Sequence, residues 1–527
     1  MSMEPAGSDR PKRRIVVFAD GTGSAFGQQE SNVWRLYDSL EKGVCADGAV
    51  QLARYIPGVG TSSMGVIRLL DGATGFGVPA NVRKLYRFLS WNWHEGDEIF
   101  LFGFSRGAFT VRTLAGMIRY QGLMPVEIDG RPASDAEMKR NVQRAWDRYR
   151  ALTAPLWKNG LRMAPYIAAV RWLRDRAVDA KRRLMRQPTH AEVEAALPET
   201  RRAGAVEIRY LGVFDTVEAY GVPIEELRRF WSWWLWPITF RNRVCSSIVA
   251  RADQMLALDD ERLTFHPIRF DQRHAGTPEA PTLVREVWFV GMHADVGGGY
   301  PDDAVAMEPL LWIAEAAGAE GLRIDPGALA RFSARRYPQA PIHDSRSGLA
   351  TSYRYAPRPK LSGVAEGGAP MLDASVLQKM AVGADGYAPL LLPAALRLCA
   401  GGPGGYAGAG PAPMRRDEAV AARVGGLVRR ARWVNRALIA CAVLLVAMPL
   451  LQRLDGPLPG GLWGRLKDII LAWKALIGVD PAPLWQVYAG VWPWAVLVLA
   501  AAGALAWEGG ALLARIKDGA LQVWTRD

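Results

Sequence analysis

The chain has 527 residues, half of them hydrophobic, which is ample for one large α/β domain with appendages or for two or three domains. A net charge of +13 together with 20 tryptophans fits a membrane surface at least as well as nucleic acid. Four scattered cysteines (Cys45, Cys245, Cys399 and Cys441) show no zinc-type spacing and argue against a disulfide framework, and Met1 to Arg14 lacks the apolar core of a secretory signal.

In chain order, Arg14 to Ala19 reads as a buried strand that runs into the turn Asp20-Gly21-Thr22-Gly23. Neither a dinucleotide nor a P-loop spacing is complete there, so the turn amides are expected to form half of an oxyanion hole. Asn32 to Leu40 has helical spacing, Gln51 to Ile56 is a second strand, and 62–79 is a glycine-rich loop. Val82, Leu85, Tyr86 and Leu89 share one face of a helix over Ala80 to Trp93. Strand, helix, strand, helix predicts a mostly parallel sheet covered by helices.

The next strand, Ile99 to Phe102, ends in Gly103-Phe104-Ser105-Arg106-Gly107, and a helical segment, Ala108 to Tyr120, follows. That is the setting of a nucleophile elbow. The sharp turn crowds the backbone around the serine, and glycines at 103 and 107 remove side chains that would clash. Ser105 is then lifted to the carboxyl end of its strand, in front of a helix N-terminus that favours negative charge.

Residues 126–205 break the rhythm. Trp146, Tyr149, Leu152, Ile167, Val170, Trp172 and Leu173 recur at helical spacing among arginines and lysines, which predicts an inserted helical cap with either a solvated or a lipid-facing charged side. The sheet resumes with Val206 to Val217, and Asp215 sits where that apolar run ends. In the Trp-rich segment 228–240, Trp231, Trp233, Trp234 and Trp236 cannot all face one core from one helix. They are expected either to line an acyl pocket or lid or to touch lipid, or else to pack beneath the cap. Arg285 to Val290 is the last strong strand, and it leads into His293 within a glycine loop.

A linker at 399–414, rich in glycine and proline, closes an α/β-hydrolase-like domain expected over 14–398, and residues 1–13 are expected to be a flexible N-terminus. Within 415–527, the apolar stretches 433–452 and 488–507 are read as two transmembrane helices of a hairpin, with an amphipathic interfacial helix around 462–473 between them. Two packed soluble helices are the alternative. Arginines before the first stretch and Arg515 and Lys517 after the second place both flanks, and with them the catalytic region, on the cytoplasmic side of an inner membrane.

Chemistry ties these pieces together. A serine hydroxyl needs a base within hydrogen-bond reach, and the base needs an orienting acid. Ser105, Asp215 and His293 each follow a strand-like run, in the chain order of an α/β-hydrolase. Ser105 would attack an acyl carbonyl, His293 would carry its proton, and Asp215 would hold the imidazole. The amides of Arg106, Gly21 and Thr22 would bind the oxyanion. Asp20 and Asp295 are rival acids. Acyl transfer, most simply ester hydrolysis, is the chemistry expected. No cofactor or metal is implied: Asp20, Asp259, Asp260 and Asp302 offer oxygen donors without an EF-hand-like spacing.

Five ordered segments also carry a resemblance. They are Phe18 to Thr22, Tyr55 to Thr61, Gly96 to Ala108, Phe214 to Val217 and Gly291 to Tyr300, and Ala257 to Arg262 adds to them. Together they resemble the α/β-hydrolase domain of the type VI secretion phospholipase effectors and their relatives. The resemblance spans roughly residues 13–300, with weaker likeness to about 398, and it implies phospholipase activity on membrane glycerophospholipids with the triad on Ser105, Asp215 and His293. It also raises a second localisation, a secreted effector that inserts into a target cell membrane. The expected partner is therefore a phospholipid membrane rather than nucleic acid, and no secretion apparatus or immunity protein is readable from the chain. A carboxylesterase acting on small soluble esters, and a non-catalytic membrane adaptor on the same scaffold, are the competing readings.

Overall fold

The computed structural model describes residues 11–21, 30–58, 77–128, 131–153, 206–217, 245–271, 283–346, 353–358, 369–390, 392–399, 414–448 and 490–526, with a few isolated positions between them. At its centre lies a mostly parallel sheet. Its strands are β1 (Arg13–Ala19), β2 (Gly43–Val44), β3 (Val50–Ile56), β4 (Glu98–Phe104), β7 (Ile208–Phe214), β8 (Val249–Ala257), β9 (Leu283–Phe289), β10 (Met371–Leu372) and β11 (Arg397–Leu398). They lie in the order β11-β10-β9-β8-β7-β4-β1-β3-β2, and only β2 runs antiparallel to its neighbour. The short strands β5 (Glu127–Ile128) and β6 (Arg131–Pro132) pair separately.

The central strands are apolar without alternation because both faces are covered, as parallel sheets require. Ile15, Val16, Val17 and Phe18 are all fully buried. On one face, Ile15, Val17, Ile99 and Leu101 meet the helices α2 (Gly77–Asn92), α3 (Arg106–Gln121) and α4 (Asp135–Thr153). On the other, Val16, Phe18, Phe100 and Phe102 meet α1 (Asn32–Asp38) and α6 (Met307–Ala319). The Ser31 side chain caps α1 by accepting from the Trp34 amide. A short α5 (His293–Gly297), then α7 (Pro326–Arg335) and α8 (Ala374–Val382), complete this part.

Several expectations are revised. His293 opens α5 instead of sitting in a glycine loop, because the Asp295 carboxylate accepts from the Met292 amide and closes the first turn. The described start of the expected cap, α4, is a scaffold helix whose Met138, Val142, Ala145 and Trp146 are buried in the core shared with α2 and α3. Nearly all of 154–205, and Trp231, Trp233, Trp234 and Trp236, lie outside the described residues.

In the C-terminal part of the chain, α9 (Glu418–Ala447) and α10 (Trp492–Leu521) lie side by side, and β12 (Met414–Arg416) pairs antiparallel with β13 (Trp524–Arg526) across their ends. Val424, Val428, Ala431 and Val434 of α9 meet Leu512 and Ile516 of α10. Among the described residues, only α10 is long and apolar enough to cross a membrane. The expected first span is part of α9, which carries Arg423, Arg429, Arg430, Arg432 and Arg436 before its apolar end. The described residues after Arg436 fall short of the roughly 20 needed for a crossing. The multi-pass inner-membrane topology is therefore not supported. The expected interfacial helix lies outside the described residues.

Candidate active site

The turn from β4 into α3 is built around its serine. Ser105 adopts φ 56° and ψ −120°, a region that side chains rarely occupy. Its neighbours make the turn possible. A Cβ on Gly103 would lie 2.7 Å from the Ala108 backbone, and one on Gly107 would run into the Ala19 carbonyl of β1. The Ser105 amide donates to the Phe214 carbonyl at 3.0 Å, which locks the turn to the end of β7.

That same end of β7 presents Asp215, also at positive φ (38°), with its amide on the Met255 carbonyl of β8. The strand after β8, β9, delivers His293. Its Nδ1 lies 2.6 Å from Asp215 Oδ2, and its Nε2 lies 2.8 Å from Ser105 Oγ. A neutral imidazole protonated on Nδ1 donates to Asp215 and turns its Nε2 lone pair to the Ser105 hydroxyl. The Phe104 and Phe265 rings pack on the imidazole at centroid distances of 4.7 and 5.1 Å. All three side chains are buried. A hydroxyl, a base and an acid in this order can pass a proton from the hydroxyl to the base while the acid fixes the tautomer.

Electrostatics sharpen the arrangement. Burial would raise the Asp215 carboxyl, but the Arg358 guanidinium and then His293 outweigh it and hold the group well below the usual carboxylate range. For His293, burial dominates and lowers the imidazole, against the opposing pull of Asp215.

The rival acids are engaged elsewhere. Asp20 accepts from Ser31 Oγ and Tyr55 OH, each at 2.6 Å. Asp295 accepts from the Met292 amide and pairs with His343 Nδ1 at 2.6 Å. For the oxyanion, Arg106 is the first residue of α3, so its amide belongs to the helix N-terminus that lacks intrahelical acceptors. The Gly21 amide points to its neighbour's Asp20 Oδ1 at 2.6 Å, and Thr22 lies outside the described residues.

Two contributors were not assigned to the site from the sequence. Arg358 places both terminal nitrogens on the Asp215 carboxylate at 2.7 Å from a position 143 residues away, and no spacing rule links the two. Asp260 accepts from the His293 amide at 3.3 Å and pairs with Arg262 at 2.6 Å. Its place after a buried run was the available signal. Among the described residues, no cluster of three or more His, Cys, Asp or Glu side chains is arranged to hold a metal.

A family model described as the type VI secretion (T6SS) phospholipase effector Tle1-like catalytic domain matches residues 13–316, which include Ser105, Asp215 and His293. The uncharacterized protein YEL023C of Saccharomyces cerevisiae is 27% identical over 288 residues. That match covers 51% of this chain, which spans about a third (34%) of the yeast protein's length. A crystal structure of an uncharacterized protein from Pseudomonas aeruginosa aligns over 71% of this chain and 53% of its own at 17% identity. Its TM-score of 0.29 is too low to speak to the fold.

Proposed function

Since this chain belongs to the type VI secretion Tle1-like phospholipase effector family through its catalytic domain, we propose that it is a membrane-associated serine hydrolase cleaving acyl esters of glycerophospholipids. The observation that carries the serine mechanism is His293 bridging Ser105 Oγ and Asp215 at 2.8 and 2.6 Å.

In the proposed cycle, Ser105 Oγ attacks the ester carbonyl as its proton passes to His293 Nε2. The oxyanion is met at the N-terminus of α3, where Arg106 is the first helical residue. His293 then protonates the leaving lysolipid oxygen, and an acyl-Ser105 ester remains. Water attacks this ester by the same route and gives its proton to His293, which returns it to Ser105 Oγ as the acyl C–O bond breaks and the fatty acid leaves. Asp215 stays ionised throughout and stabilises the transient imidazolium.

Membrane association is supported by α10. Only Ala495, Leu512, Ile516 and Ala520 are buried along it, while Trp494, Leu497 and Trp507 are 65%, 60% and 81% exposed. The first half of the helix, Trp492 to Trp507, carries no charge and is largely exposed, which suits lipid better than water. Membership of an effector family favours a secreted protein that inserts α10 into a target membrane. Secretion and immunity partners belong to the same reading.

The test compares wild type with Ser105→Ala on phospholipid vesicles and on a soluble short-chain ester, with lysolipid and fatty acid followed by mass spectrometry. Lipid hydrolysis lost by about 10⁴-fold or more in the variant supports the reading. Ester turnover without lipid turnover points to a carboxylesterase. Folded protein with no Ser105-dependent turnover of either substrate sinks it.

A further inference from the structure

The guanidinium on the triad acid comes from outside the region matched to the family. Arg358 lies beyond residue 316, at the end of the described segment 353–358. It is buried (4% exposed), grips both Asp215 oxygens at 2.7 Å, and also donates to the carbonyls of Ala257 and, at 2.8 Å, Phe265. One side chain therefore joins the acid, the end of β8 and the turn beneath the imidazole.

The segment that brings Arg358 in is held from two sides. On the catalytic side, the Ala356 amide donates to the Glu261 carbonyl at 2.7 Å, and His266 Nε2 meets the Ala356 carbonyl at 2.7 Å. On the other side stands α9. Asn435 Oδ1 accepts from the Tyr355 amide at 2.8 Å, and Arg432 donates to the Pro357 carbonyl at 3.1 Å. Tyr355 itself is buried in the same apolar cluster as α9 and α10. Helix α9 thus contacts the residues immediately before the one that holds the acid.

We propose that Arg358 is a positioning residue for Asp215, carried on a strap that α9 clamps, so that the C-terminal helices complete the catalytic site. The proposal rests on the serine-hydrolase reading above.

The charge arrangement states what Arg358 must do. Facing His293 and Asp215 are Arg358, the Asp260–Arg262 pair, and Asp259, whose carboxylate accepts from the Gly291 amide and Tyr387 OH. Asp260 and Arg262 offset each other. Arg358⁺, Asp215⁻ and a neutral imidazole are likewise balanced, so a proton arriving on the imidazole adds a positive charge that Asp215, already paired with Arg358, does not fully offset. Without Arg358, Asp215 is a lone buried anion, and the Asp215–His293 pair takes up a proton more readily. The inactive protonated form then persists to higher pH. Lysine at 358 keeps the charge and loses the two-pronged grip.

The experiment measures kcat and KM on a soluble short-chain ester from pH 5 to 9, with fluorophosphonate labelling in parallel. The proteins are wild type, Ser105→Ala, Arg358→Gln, Arg358→Lys and Asn435→Ala, all full-length and checked by circular dichroism. Arg358→Gln is expected to raise the acid limb by about one pH unit or more and to lower kcat about 10- to 100-fold, with KM little changed. Arg358→Lys lowers kcat with the limb in place, and Asn435→Ala lowers kcat a few-fold with the limb in place. Folded Arg358→Gln with the wild-type kcat and limb overturns the role of Arg358 while leaving the serine reading intact. If Arg358→Gln does not fold, Arg358→Lys decides, and a wild-type kcat there overturns it. Wild-type kcat in Asn435→Ala overturns the clamp. Turnover and labelling undiminished in Ser105→Ala overturn the serine reading and this proposal together.

Discussion

Burial acts on Asp215 and His293 in opposite directions, and only one of the two is rescued. The Asp215 carboxyl would be raised by its dry surroundings, but Arg358 reverses the shift. The His293 imidazole is lowered by burial, and Asp215 only partly restores it. An imidazole must be neutral to accept the Ser105 proton. Lowering it from about 6.5 extends the neutral form towards acid. The acid limb of kcat/KM on a soluble ester is therefore expected below pH 6.5. A limb at or above pH 7 in the wild type contradicts this placement of His293. The same shift acts on stability. Between the folded value and about 6.5 the unfolded chain binds more protons at this residue, so its contribution is lost as pH falls through that window.

At the scale of elements, the site stands on strand ends that meet at one edge of the sheet, and the elbow is the least forgiving of them. A Cβ on Gly107 would run into the carbonyls of Ala19 and Asp20, and these nearest neighbours are backbone atoms that cannot swing aside as a side chain can. Gly107→Ala must push α3 away from β1 or distort the Ser105 turn. Chemical denaturation should show a loss of about 3 kcal/mol, with ester turnover falling alongside it. Unchanged stability and rate would mean that the turn is looser than its contacts require. Strands β1, β4 and β7 were readable in the sequence because both of their faces are buried and their carboxyl halves are unbroken apolar runs. Strand β8 was not, because Asp253 and Gln254 interrupt it. Each is paired inside the protein, Asp253 with Tyr210 OH at 2.8 Å and Arg285 at 2.7 Å, and Gln254 with Glu286 at 2.7 Å. Ser105, Asp215 and His293 were legible as strand-end residues. The Arg358 pairing and the Asp295–His343 pairing were not, since both depend on contacts between distant segments that periodicity does not encode.

For the whole molecule, the question is what the C-terminal helices are for. Their shared face is satisfied: Val424, Val428 and Val434 meet Leu512 and Ile516, and Arg430 pairs with Glu508 at 2.6 Å. An exposed ion pair of that kind contributes less than about 1 kcal/mol, so the apolar seam holds the two helices together. The rest of α10 remains uncovered, and the first half of that helix has no charge from Trp492 to Trp507. If this surface meets lipid, a charge in its middle is costly in the membrane and nearly free in water. Leu497 is 60% exposed and outside the seam, so Leu497→Arg leaves the fold and the distant site alone. On the insertion scale the exchange costs about 3 kcal/mol, equivalent to a loss of vesicle binding on the order of a hundredfold. Flotation with anionic phospholipid vesicles reads the binding, and the soluble ester reads the chemistry. Weakened binding with unchanged ester turnover assigns α10 to the membrane. Unchanged binding removes it from that role and leaves the family's substrate to be reached by another surface.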